Sequence, residues 1–155
     1  MERLPVIVCI GTTKVVGDSL GPITGDYLKK VFKARAFVYG DSRRSVTASN
    51  FAEYKRYIEK AHPGSPIIAL DACLGRAEEV GKIKLSDRGV LAGGALGKSL
   101  GRIGDLGLLS IVGVVGDDNL AALTDADESL IRDLAKKTAL KAISLIEKFA
   151  FFNAI

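Results

Sequence analysis

Asp18 and Asp71 are the two side chains whose sequence surroundings could set a carboxylate to chemistry. Asp18 lies between two glycines in "VVGDSLGPITGDYL" (15–28), directly after an apolar run, and Asp71 follows "PIIAL" and precedes "ACLG". Two carboxylates held close cannot both ionise cheaply, so one keeps its proton near neutral pH. Such a pair supplies a general base that activates water and a general acid for the leaving group, the equipment of a hydrolase. The flanks suggest which is which. Asp18 falls near a helix start, where unpaired N–H groups favour an anion, and Asp71 closes an apolar stretch where desolvation favours the neutral acid. Asp18 is therefore the expected ionised partner and Asp71 the protonated one. Both positions also have plain structural uses, a helix cap for Asp18 and a turn for Asp71. At this level both readings stand open.

Other groups offer less. His62 is the single histidine and sits in "AHPGS" at a helix end, which leaves no Ser-His-Asp or Cys-His triad. Cys73 follows Asp71 by two residues but has no second histidine to activate it. Cys9 and Cys73 lie in apolar runs without metal-type spacing, so they read as buried reduced thiols and favour a cytoplasmic protein. "GKS" at 97–99 lacks the preceding buried strand of a phosphate-binding loop. No cofactor is called for, and no metal ligand is assigned. Were a metal used instead, a further ligand such as Asp87 or Asp105 would have to join the pair.

The pattern of elements sets where the two aspartates must fall. "PVIVCIG" (5–11) predicts a buried strand, and from Leu20 to about Lys33 the apolar spacing turns helical. "AFVYG" (36–40) predicts a second strand. "SNFAEYKRYIEKAH" (49–62) predicts an amphipathic helix capped by Ser49 or Asn50. "SPIIALDACLG" (65–75) predicts a buried strand ending at Asp71, "VGKIKLSDRGV" an exposed or edge strand, and "LLSIVGVVG" (108–116) a last buried strand. The glycine-dense 91–107 segment reads as neither helix nor strand. A long amphipathic helix, capped at Thr124 or Asp125, ends the chain. Strands alternating with helices imply a mostly parallel sheet in a three-layer α/β/α sandwich, read as a single domain over 1–155. In open sheets of this kind ligands bind beyond the carboxyl ends of the strands. If the first and third strands are neighbours, Asp18 and Asp71 share that crevice, shaped by Gly17, Gly21, Gly93, Gly94 and Gly97. Asp117 and Asp118 follow the last strand.

Composition narrows the class. Of 155 residues 48% are hydrophobic and 26% charged, which is enough apolar material for a core. The balance of 22 Lys+Arg to 18 Asp+Glu gives +4, spread along the chain without the clustered block a nucleic-acid reader needs. No apolar run reaches the ~20 residues of a bilayer span, and the N-terminus carries no convincing signal peptide. The tail "LIEKFAFFNAI" places Phe149, Phe151, Phe152 and Ile155 around several sides of a helix end. Either they cover the edge of their own sheet or a second copy covers them in a homodimer.

The stretches "IGTTKVVGDSLGPITGDYL", "IIALDACLGR" and "KLSDRGVLAGGALGKSLGRIGDLGLLSIVGVVG" resemble the YyaC-type sporulation proteins, over about residues 6 to 117. More distantly the chain is similar to the spore germination protease, whose fold is that of the hydrogenase maturation endopeptidases. The resemblance implies a hydrogenase-maturation-protease-like sandwich and a sporulation-associated peptidase. Matched motif by motif, the proposed catalytic aspartates of the germination protease fall on Asp18 and Asp71. A protein or peptide substrate follows, with spore small acid-soluble proteins the first to consider. The maturation endopeptidases use a metal-binding trio with a histidine beyond the second acidic residue; here the only histidine precedes it. Two rival readings are a metal-dependent maturation-type endopeptidase and a non-catalytic binding protein on the same fold.

Overall fold

Continuous apolar, β-branched runs become the interior strands of one sheet. The computed structural model describes residues 3–154, with side chains described through residue 150. Strand β1 (Val6–Cys9) has all four residues buried, and β2 (Phe37–Tyr39) pairs beside it in parallel. Strands β3 (Ile67–Gly75), β4 (Ile83–Ser86) and β7 (Leu106–Val114) complete a five-stranded sheet of order β2-β1-β3-β7-β4. All neighbours are parallel except β4, which runs antiparallel to β7 at the edge. Two short strands, β5 (Val90–Leu91) and β6 (Arg102–Ile103), form a separate antiparallel ribbon. The 91–107 segment thus contains regular structure where its glycines suggested none: pairing between its two ends, not local propensity, makes the ribbon.

Helix α1 (Leu20–Asp26) runs on through one π-helical stretch over Tyr27–Val31, and α2 spans Phe51–Ala61. The expected terminal helix is α4 (Glu128–Ala154), and a short helix that the sequence reading did not include, α3 (Asn119–Thr124), precedes it. The caps differ from those expected because aspartates at other positions reach the free N–H groups. Asp118 accepts from the Ala121 amide at the start of α3, and Asp127 accepts from that of Leu130 at the start of α4. Asn50 precedes α2 but spends its side chain on the loop before it, accepting from Thr47 N–H and donating to Ser45 O.

Alternation along the strands divides the core into layers. Ile7, Cys9, Ile68, Leu70 and Leu108 face Leu28 and the α4 residues Ala139, Ala142, Leu145 and Ile146. Val6, Val8, Ile10 and Ala69 face Phe51 and Ile58 of α2 together with Val90 and Ile103 of the ribbon. Helices α1 and α4 therefore cover one face, and α2 with the ribbon covers the other: an α/β sandwich with a mostly parallel sheet. Phe149 packs into the α4 layer. Phe151, Phe152 and Ile155 lie outside the residues with described side chains. No helix among the described residues is long and apolar enough to cross a membrane.

Candidate active site

The strand order creates the site. The chain leaves β1 toward β2 on one side and later returns through α2 to β3 on the other, so the crossovers diverge between β1 and β3. Ligand crevices form at such switch points. Strand β1 stops at Cys9, opposite Leu70, while β3 continues to Gly75 alongside β7. Asp71 therefore does not end its strand, as its sequence suggested. It is held mid-strand by β7 at the level where β1 gives out, and it shares a sheet face with Ala69. A crevice of about 360 Å³ opens there, lined by both Asp18 and Asp71.

Asp18 reaches the crevice from the other side. After β1 the backbone turns at Gly11, whose N–H donates to Val46 O at 2.9 Å, and comes back through a single 3-10 turn at Gly17–Ser19. Ser19, not Asp18, directly precedes α1, and neither makes a side-chain cap there. The cap reading of Asp18 fails on this geometry. The Thr12 backbone N–H lies on the side of its carboxyl and favours the charged form.

The two carboxyls sit in unlike surroundings. Asp71 is only 7% exposed, whereas Asp18 is half-buried. Burial lifts the Asp71 carboxyl well above the ordinary range, and the Asp18 charge lifts it further, against a smaller opposing effect of the Ala72 amide. Burial also raises Asp18, but the Thr12 N–H pulls the other way by favouring its anion. The groups titrate as a coupled pair in which Asp71 holds the proton more firmly.

The glycines named from the sequence divide. Gly93 lines the crevice in a left-handed conformation (φ 79°), at the start of a turn that sets Lys98 N–H against Gly93 O at 3.0 Å. Gly17 and Gly21 act from behind the wall, permitting close backbone approach. A Cβ at Gly17 would lie 2.9 Å from Leu123 O, and one at Gly21 would lie 2.1 Å from Ile10 O. Gly94 and Gly97 face open space and are not on the crevice wall. Sequence reasoning missed Gly11, Thr12 and the two lysines of the wall, Lys14 and Lys98. It also missed α3, which contributes Leu120 and Leu123; the Asp118 cap before "NLAAL" was its legible signal.

Other reactive groups lie elsewhere or are subdued. His62 shares a 2.6 Å hydrogen bond with Tyr39 Oη and packs its ring on Phe37. Burial pushes the Cys73 thiol up to about 11, the opposite of an activated nucleophile. Asp117 is exposed. Asp105 accepts from the Ile67 amide at 2.8 Å, at the amino end of β3. Asp87 follows β4 beyond the Ser86–Gly107 pair, toward that same end. Among the described residues no three His, Cys, Asp or Glu side chains come together as a metal-ligand group. A metal of the maturation-endopeptidase kind does not fit this donor set: two carboxylates, one preferring its proton, with no histidine near.

Known proteins agree with the architecture. The fold resembles the NiFe hydrogenase maturation protease HycI from Thermococcus kodakarensis KOD1, with a TM-score of 0.59 and 16% identity over 94% of this chain and 93% of that one. It also resembles the Hydrogenase 3 maturation protease, with a TM-score of 0.55 and 13% identity over 89% and 88% of the two chains. In sequence the chain is 36% identical over 143 residues to the uncharacterized protein YyaC of Bacillus subtilis (strain 168), covering 92% of this chain and 69% of that protein. The model of a family described as a protein of unknown function (DUF1256) matches residues 1–141, and the chain belongs to this family, that of the YyaC-type proteins.

Proposed function

We propose that this protein is a peptidase that hydrolyses peptide bonds with Asp18 as general base and Asp71 as general acid. The observation that carries the reading is the pair itself: one buried, one half-buried, both on the wall of one crevice at the switch point of the sheet. In the first step the Asp18 carboxylate takes a proton from water as its oxygen attacks the scissile carbonyl carbon. Asp71 gives its proton to the carbonyl oxygen, and a neutral gem-diol forms. In the second step Asp18 passes its proton to the amide nitrogen as the C–N bond breaks. Asp71 recovers a proton from a diol hydroxyl, so both carboxyls return to their starting states.

The similarity to maturation proteases in fold supports a peptide or protein substrate. The resemblance to sporulation proteins makes a cytoplasmic role in the spore-forming cell the natural setting, with spore small acid-soluble proteins as the first substrates to try. Incubating these proteins with wild type, Asp18→Asn and Asp71→Asn, and reading fragments by mass spectrometry, tests the reading. Wild type should cleave with a bell-shaped kcat/KM profile, and either variant should lose at least about 100-fold, the usual size of an acid–base contribution. A profile with one ionisation near an ordinary aspartate value would remove the pair. Binding without cleavage by wild type would make the protein a binding module on the same fold.

A further inference from the structure

We propose that the outer edge of β2 is a docking site for an acidic, extended segment of a partner protein, which adds to the sheet as a further strand and sets its carboxylates in the tyrosine-lined groove beside α2. Such docking does not depend on peptidase activity.

Strand β2 is one end of the sheet order, and no strand among the described residues lies on its far side. Phe37 N–H donates to Pro5 O at 3.0 Å, and Phe37 and Tyr39 pair with Val6 and Val8 of β1. In a parallel ladder alternate residues turn their backbone groups to one neighbour, so Val38 between them turns its N–H and C=O outward. An extended chain satisfies such groups with its own backbone. Aromatic surface flanks this edge: Phe37 is 46% exposed and Tyr57 of α2 is 58% exposed. At the opposite edge of the sheet the β4 lysine, Lys84, is already spent on Glu79 at 2.5 Å.

Depressions border this edge on both faces of the sheet, as the alternating side chains of an added strand require. On the α2 face a groove of about 640 Å³ is lined by Tyr39, Tyr54, Tyr57, Lys29 and Arg44. Tyr39 is its fixed member. Its Oη shares the 2.6 Å hydrogen bond with His62 Nε2, and its ring stands edge-on to those of Tyr54 and Tyr57, with centroids 6.3 Å and 6.1 Å away. On the α1 face a smaller depression between Leu28, Ala34, Ala36 and Val38 suits a small aliphatic side chain. Charge selects the partner. Lys29 Nζ is held by Asp41 at 2.7 Å, whereas Arg44 and Lys33 make no ion pair among the described residues, and Glu53 is the one carboxylate on the groove. Phenol hydroxyls and a guanidinium are donors that a carboxylate accepts from. A second copy of this chain fits less well, because edge-to-edge pairing would bring the same cations together from both sides. The loop after β2 borders two sites: Arg44 and Asn50 line this groove, and Thr47 and Ser49 line the aspartate crevice.

Titrating the isotope-labelled full-length protein with a blocked, alternating Glu-Val octapeptide, and following backbone amides by NMR, tests this. The Val38 amide should shift and become protected from solvent exchange, while the amides of β4 on the opposite edge stay unchanged. An alternating Lys-Val octapeptide should bind at least about tenfold more weakly. Arg44→Glu should weaken the Glu-Val peptide about tenfold. Val38→Pro, which removes the outward donor from an edge strand that tolerates proline, should weaken it by a similar factor. If the proline variant does not fold, Arg44→Glu and the protection of Val38 in wild type decide. Shifts confined to crevice residues such as Thr12 and Gly93, equal affinity for the two peptides, or no binding at millimolar peptide overturns the proposal. So does protection of Val38 that grows with protein concentration in the absence of peptide, which would make the edge a contact between copies. A wild type that docks the peptide at β2 yet cleaves none removes the peptidase reading and leaves the docking edge intact.

Discussion

Asp71 is a carboxyl whose surroundings favour its neutral form, and this has a consequence for stability that can be signed. Its folded-state pKa is raised by burial and by Asp18, so between the ordinary aspartate value and that raised value the native state holds a proton the unfolded chain has released. Stability therefore falls as pH rises through this window, and the penalty is constant above it. Asn matches a protonated carboxyl in shape and cannot ionise in either state. Asp71→Asn should melt near or above wild type at neutral pH, and its advantage over wild type should shrink toward pH 4, where the penalty on the wild type is small. Thermal melts of the two proteins from acid to neutral pH check this. A buried structural anion would behave in the opposite way: losing it would leave a partner unpaired at a cost of about 3–5 kcal/mol.

At the scale of elements the glycines separate into those that set distances and those that do not. Gly21 brings α1 onto β1, because a methyl there would meet Ile10 O at 2.1 Å, while Gly94 has nothing within 4 Å. Gly21→Ala should cost about 1–3 kcal/mol, the range of overpacking in a close-packed interior, and should loosen the Asp18 turn. Gly94→Ala should stay within about 0.5 kcal/mol of wild type, as an exposed substitution without contacts does. Urea unfolding of both variants decides between a fold-building and a passive role for each position. The same contrast divides the glycines of "GGALG" (93–97). All three were expected to shape the crevice, and of Gly93, Gly94 and Gly97 only Gly93 stands on the wall.

For the whole molecule the C-terminal helix α4 shares with α1 the covering of one face of the sheet, and Phe149 packs into that layer. Phe149 is half-buried against the layer that holds Ile7, Leu70 and Leu108. Phe149→Ala should therefore lower stability by about 1–2 kcal/mol, the value of partial burial of such a side chain. Light scattering on the full-length protein and on a chain ending at residue 148 tests the homodimer expected of the tail; a monomer at high micromolar concentration removes it. The sheet and its helices were legible in the sequence because burial is written locally. Val6–Cys9 is a continuous apolar run, and α4 repeats its apolar residues at helical spacing. The position of Asp18 between the first strand and the first helix was legible for the same reason, whereas Asp71 lies mid-strand and not at the strand end its sequence suggested. The crevice that joins them was legible only on the condition that β1 and β3 are neighbours, and its shape was not, because it depends on how far β3 outruns β1 and how closely α1 approaches Gly11. Strand length past a neighbour is decided by pairing with β7, and helix approach by contacts between backbones about ten residues apart. Neither leaves a periodic signal in the chain, so tertiary packing decided that the strands are neighbours and that two aspartates separated by 53 positions line one crevice.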